Sequence, residues 1–254
     1  MALAALAVLA LPGCRFHAAS WNDPADLAAY RAAFAASAGT RFVATSTRAE
    51  LLDRLAAVRV LWLGDHHTSR SLHALHRQLL DELGSRPVRP LLVLEAIGDA
   101  DEPAVADYLA ERCDEATLRQ RLLARWPGSW LDDPDLDPRH YRALLERARA
   151  HDWPVRALEP VPRASLADRD PAIGDRVRAL AARHPDRLLV VVVGQAHLVG
   201  GGDVIARSGL PSIAFGGEPT PDLVAAAPDR GAPNRLLASD GGLWWFAELL
   251  APSP

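Results

Sequence analysis

Two largely apolar runs in this chain end in the same way. Val58 to Leu63 leads into Gly64-Asp65-His66-His67, and Leu188 to Val193 leads into Gly194-Gln195-Ala196-His197. Each run is short, aliphatic and bounded by polar residues, so each reads as a buried strand. Each closes on Gly-x-x-His, with a glycine that lets the backbone turn as the strand ends. A chain built on two such arms brings two imidazoles to strand tips. In an open parallel sheet the crevice outside the carboxyl ends of the strands is where ligands bind.

Two further strand endings carry carboxylates, because Leu91 to Leu94 is followed by Glu95 and Val155 to Leu158 by Glu159. A single polar residue at a strand end is simply where the chain reaches water. Four together place Asp65, His66, His67, Glu95, Glu159 and His197 on one edge, where they would perturb each other's protonation.

With 254 residues and 49% hydrophobic content, the chain can bury a full core, and one α/β domain is expected rather than two. The net charge is −4 and all 28 basic residues are arginine, with no basic block. Nucleic acid and a polybasic membrane patch are thereby excluded as expected partners. The amino terminus differs in kind. Met1 to Leu11 is uninterrupted apolar sequence followed by Pro12-Gly13-Cys14, which approximates a lipobox with Cys14 as the lipidated residue. The run is too short to span a bilayer, so residues 1–14 read as a lipoprotein signal-like segment. That places the protein on a bacterial membrane, at its periplasmic or extracellular face. Cys113 is then the one remaining thiol, without a partner for a disulfide.

Residues 15–40 form a helical leader, with Asp23 as N-cap, Pro24 at the first helical position and an end near Ala38. Residues 41–254 read as a single α/β domain. Thr47-Arg48-Ala49-Glu50 is a capping box opening a helix to about Ala57. A helix from Ser69 to Leu83 carries Leu72, Leu75, Leu79 and Leu80 on one face, and the strand to Glu95 completes a βαβ unit. Residues 99–150 lack a strand pattern and read as a lid-like helical insert, its last helix opened by Asp137 and Pro138. Further along, a strand is expected at 154–158, a helix capped by Asp170 and Pro171, the strand 188–193, and a helix near 201–208. Short strands near 211–215 and 243–247 close the series. Alternation of this kind predicts a mainly parallel sheet flanked by helices.

Within the site, His66 and His67 cannot both face inward on a tight turn, and the Gly-x-x-His spacing selects His67. His73 lies near a helix start, close to the crevice, and a place in the site or on the helix surface is equally open to it. A solvated helix face accounts for His76, which is placed outside the site. His67, Glu95 and His197 could hold a divalent metal ion with an open position for water, the chemistry of hydrolysis. Without metal, Glu95 could serve as general base. Haem would require an axial ligand and an apolar wall. The candidates are the crevice histidines, Tyr108 and Tyr141, with Trp126, Trp130 and Trp153 as wall.

Gly64-Asp65-His66-His67 with His73 is similar to the Gly-Glu-x-His-(x5)-His signature of the ChaN-like haem-binding uptake proteins, of the Tiki, TraB and erythromycin-esterase superfamily. Leu92 to Glu95 resembles the family's second strand and Trp126 to Ala148 its Trp-rich helical insert. Val155 to Pro160, Val193 to His197 and Gly242 to Phe246 resemble its later strands. Asp65 replaces the family's usual glutamate, and Glu159 stands where an asparagine is common. The resemblance implies an α/β fold, haem as cofactor and a role in haem and iron uptake. The ligand-binding set is then Gly64, Asp65, His67, His73, Glu95, Tyr141, Glu159, Gly194 and His197, without an assigned axial ligand. Haem, the membrane through the lipid anchor and a second copy of the chain in a homodimer are the expected partners. The wider superfamily implies the alternative, a metal-dependent hydrolase of peptidase or esterase type using His67, Glu95 and His197.

Overall fold

The computed structural model describes residues 24–123, 131, 137–159, 166–199 and 202–251. Cys14, Trp126, Trp130 and the side chain of Glu159 lie outside what is described, as do the expectations that rest on them.

Eight strands make one sheet in the order β1-β7-β8-β6-β2-β5-β3-β4. They are β1 Phe42–Thr47, β2 Val60–Asp65, β3 Pro90–Gly98, β4 Val155–Glu159, β5 Leu188–Gly194, β6 Ser212–Phe215, β7 Arg235–Ser239 and β8 Trp244–Phe246. The run from β8 through β6, β2, β5 and β3 to β4 is parallel, while β7 runs antiparallel to both its neighbours. The two Gly-x-x-His strands are direct neighbours in register, Gly64 opposite Val193 and Asp65 opposite Gly194. Burial on both faces explains their unbroken apolar sequences. Alternate residues serve opposite layers, Leu61 and Leu63 one core, Val60 and Trp62 the other.

The helices are α1 Pro24–Ala38, α2 Arg48–Arg54, α3 Arg70–Gly84, α4 Glu102–Leu109, α5 Glu115–Leu123, α6 Pro138–Ala150, α7 Leu166–Arg183, α8 Val204–Ser208 and α9 Pro221–Ala226. One face of the sheet carries α2 to α6 and the other α1, α7, α8 and α9. The capping box at Thr47 is present in full, the Thr47 side chain accepting from Glu50 N–H and the Glu50 carboxylate accepting from Thr47 N–H. Tyr108, Leu118, Leu144 and Leu145 pack helices α4 to α6 into the core.

Three expectations about local structure change. Strands β1 and β7 carry mixed sequences, FVATST and RLLAS, whose pairing with each other comes from the fold rather than from an apolar run. Glu95 does not end its strand. β3 continues to Gly98, although its pairing with β5 stops at Leu94 and that with β4 shifts register between Leu94 and Gly98. Finally, the glycines of the two motifs are not needed for left-handed backbone, because neither has positive φ. Close approach requires them. A Cβ on Gly64 would stand 2.8 Å from the Phe215 carbonyl oxygen and 3.0 Å from Gly217 N. Gly64→Ala therefore forces backbone to move, and we expect a loss of about 1–3 kcal/mol in urea unfolding, the range of overpacked cores.

Candidate functional site

The first arm is organised around the Asp65 carboxylate, 3% exposed at the end of β2. Its Oδ2 lies 2.9 Å from His67 Nδ1 and accepts the Tyr141 hydroxyl at 2.9 Å. The Tyr141 oxygen is also 3.0 Å from His67 Nδ1. Oδ1 lies 2.8 Å from His73 Nε2, and His73 Nδ1 is 3.0 Å from Asp137 Oδ2. An ionised carboxylate only accepts, so His67 carries a hydrogen on Nδ1, and Nε2 is the outward side of a half-exposed ring. Burial pushes the Asp65 carboxyl up, but the hydrogen bonds and charges of His67 and His73 hold it well below the usual carboxylate range. For His67, burial pulls downward and is outweighed by the Asp65 hydrogen bond and the Asp65 and Glu95 charges, which raise it to about 9. Burial and the Asp65 charge push Tyr141 well above its ordinary value.

The second arm repeats this pattern with a different donor of the carboxylate. Beyond Gly194 a 3-10 turn, Gln195–His197, delivers a buried imidazole. His197 Nδ1 is 2.5 Å from Asp170 Oδ1, and Asp170 Oδ2 accepts Asp203 N–H at 2.9 Å. His197 Nε2 stands 3.3 Å from Glu95 Oε1. Against burial, the hydrogen bonds to Asp170 and Glu95 raise His197 to about 9. Glu95 lies between the arms. Arg169 donates to Oε1 at 2.6 Å and Gly194 N–H to Oε2 at 2.5 Å. A Cβ on Gly194 would come within 3.3 Å of Glu95 Oε2 and 3.7 Å of His67 Nε2, so this glycine keeps the crevice floor open. Burial raises the Glu95 carboxyl, but His197, Arg169 and His67 more than offset it and hold it far below the usual range. A carboxylate so pinned is a poor proton acceptor near neutral pH, which corrects the expectation of Glu95 as general base.

Behind the first arm sits a buried histidine cluster. His73 and His140 stack with ring centroids 3.9 Å apart and planes parallel, and His76 lies 5.9 Å from His140. His76 is not on a solvated face, since it and His140 are fully buried and their ring nitrogens have no hydrogen-bond partner among the described residues. Burial lowers His76 to about 4 and His140 to about 2, so both are neutral. Asp65, His73 and His140 bring ligand atoms within 4.8 Å of one another. A metal ion lies in the plane of each imidazole that binds it, and parallel stacked rings share no plane. In this arrangement the two rings therefore cannot serve one ion.

The structure thus brings Asp65, His67, His73, Glu95, Tyr141, Gly194 and His197 to one place, with Gly64 beneath. His66 turns away to Glu218 at 3.0 Å. Tyr141 is 3% exposed with its hydroxyl engaged on Asp65, so it supports the arm instead of offering an axial oxygen. Glu159 ends β4. Four residues were missed in these roles. Asp137 carries the sequence of an N-cap, but its carboxylate turns to His73 and makes no cap bond. Asp170 with Pro171 has the sequence of a helix start, whereas α7 begins at Leu166, Pro171 is interior, and the Asp170 carboxylate goes to His197. Arg169 and His140 carry no local signal. His140 is detectable only as the neighbour of Tyr141 at a three-residue step from Asp137.

Fold and site together define an α/β protein in which two carboxylate-backed histidines flank a pinned glutamate at the carboxyl edge of the sheet. Residues 51–168 match the family model described as "Haem-binding uptake, Tiki superfamily, ChaN", and that segment is similar to the family. No curated protein matches the chain. Among solved structures it is similar to ChaN of Campylobacter jejuni in a structure of cofacial heme binding. The identity is 7%, over 66% of this chain and 84% of that one, at a TM-score of 0.44. It is also similar to RRSP, a MARTX toxin effector domain from Vibrio vulnificus CMCP6, at 19% identity over 75% of this chain and 40% of that one, TM-score 0.49. The type III effector HopBA1 matches at 15% identity over 82% of this chain and 96% of that one, TM-score 0.46. The chain spans less than half the length of RRSP and of the two other bacterial toxin chains.

The histidine shifts fix the sign of the pH dependence. His76 and His140 have lowered values, so their contribution is present above pH 6.5 and is lost as pH falls toward 4 and below. His67 and His197 have raised values, so theirs is complete below 6.5 and is lost as pH rises through about 9. Urea midpoints measured from pH 4 to 10 should therefore fall on both sides. His76→Leu should flatten the acid limb and, by removing an unpartnered buried polar ring, raise stability near neutrality by about 1–3 kcal/mol.

Proposed function

We propose that this protein binds haem in the crevice at the carboxyl ends of β2 and β5, with His67 as the axial ligand through Nε2. One observation carries the reading: His67 is half exposed, and its Nδ1 is held by the buried Asp65 and by Tyr141. Metal-ligating histidines characteristically donate their other ring N–H to a carboxylate, which fixes the tautomer and raises ligand basicity. The family description of the matched segment supports haem as the group. Of the chain's own residues, His67 would hold the iron on giving up its Nε2 hydrogen, and Asp65 and Tyr141 would orient it. Bound haem would supply iron to an uptake system. The finer parts of the reading are a lipid on Cys14, a place on a bacterial membrane, a role in haem and iron uptake, and a homodimer.

A second reading, hydrolysis, is favoured by the duplication itself, two Asp–His pairs about Glu95. Chemistry of that kind would fall to the imidazoles, with Glu95 as the anion that orients them. A metal form would use His67, Glu95 and His197.

Haem titrated into the protein should give a Soret band that saturates at a fixed ratio. His67→Ala should abolish or shift that band, whereas Tyr141→Phe, which removes a supporting bond, should move affinity by less. Saturation unchanged in His67→Ala would overturn the ligand assignment. Bound metal in haem-free protein, lost in His197→Ala, would favour the second reading. A mass increment on Cys14 in membrane fractions would test the anchor.

A further inference from the structure

We propose that Asp170 is the positioning residue of His197, the counterpart on the second arm of Asp65 on the first. The crevice then presents its ligand with two imidazoles, each held through a hydrogen on Nδ1 by a buried aspartate. Three observations carry this. The Asp170 carboxylate is 2% exposed in the interior of α7, where it caps no helix end, and buried charge in such a place is costly unless it is paired. Its Oδ1 is 2.5 Å from His197 Nδ1 while Oδ2 accepts Asp203 N–H at 2.9 Å, so the carboxylate is held from two sides and cannot rotate away. And His197 Nε2 is aimed at Glu95 Oε1, 3.3 Å away, over the Gly194 floor that His67 Nε2 approaches from the other side. An acceptor-only carboxylate at Nδ1 keeps a hydrogen there, while Nε2 with its own hydrogen faces Glu95. In carboxylate–histidine pairs of catalytic triads, exchanging the carboxylate for an amide leaves geometry intact and installs the wrong tautomer.

The same exchange separates positioning from mere packing here. In Asp170→Asn the side-chain oxygen can still accept Asp203 N–H, but the amide presents a donor to Nδ1, so His197 must give up the hydrogen on Nδ1 and keep the one on Nε2 that faces Glu95. Nitrogen-15 NMR of the ring reads this directly in the ligand-free protein. The expected result is a protonated Nδ1 on His197 in the natural chain, its loss in Asp170→Asn with the fold retained by circular dichroism, and its return in Asp170→Glu. An Nδ1 resonance that does not move in Asp170→Asn, or that Asp170→Glu fails to restore, overturns the proposal. If Asp170→Asn does not fold, the natural chain decides. A His197 Nδ1 without its hydrogen overturns the assignment, and one that carries it in a hydrogen bond sheltered from exchange supports it. The proposal rests on the reading that this crevice is the ligand site, and the haem titration tests that reading separately. Absence of a saturable Soret band removes haem and leaves the NMR result standing.

Discussion

The site depends on one buried anion. Asp65 sits at the tip of a central strand, in the middle of the sheet, where an unpaired carboxylate would cost several kcal/mol. His67, His73 and Tyr141 offset that cost, and each comes from a different place: the loop after β2, helix α3 and helix α6. Satisfying the carboxylate is therefore the same act as docking two helices on the sheet edge. Asp137 extends the chain one step further, so the start of α6 is tied to β2 through His73.

The second arm solves the same problem by another route. Its imidazole is backed by Asp170 from a helix on the opposite face of the sheet from α3 and α6. The two arms thus draw their support from opposite layers and meet at Glu95, whose charge is balanced by Arg169 and the two histidines. The groups at this edge are pushed apart: His67 and His197 are raised to about 9 by their carboxylates, and burial lowers His76 to about 4 and His140 to about 2. Such separation suits a site that holds a ligand in fixed geometry, and it is why His67 and His197, rather than Glu95, are the groups to test.

Much of this is legible along the chain. The two Gly-x-x-His arms, the α3 leucine face and the Thr47 capping box are local patterns, and local patterns survive folding. The order of motifs from Gly64 to Phe246 pointed to a ChaN-like chain, and residues 51–168 match that family's model. What failed were residues whose type permits two uses. An aspartate before proline at a helix start is the ordinary signature of an N-cap, and both Asp137 and Asp170 carry it, yet both spend their carboxylates on distant histidines. His76 is polar at helical spacing and reads as surface. It is buried because α6 covers α3 at that point.

By itself the sequence determined the fold class, the two imidazole-bearing strand tips and the identity of His67 as the inward residue of its turn, because hydrophobic period and glycine spacing are short-range properties. Tertiary structure alone decided which carboxylate backs each histidine, that Glu95 is pinned, that His73 and His140 stack, and that the motif glycines are there for close approach. Those facts depend on residues up to 99 positions apart being brought within hydrogen-bond distance, as in Gly194 N–H donating to Glu95. No periodicity in the chain encodes such a pairing.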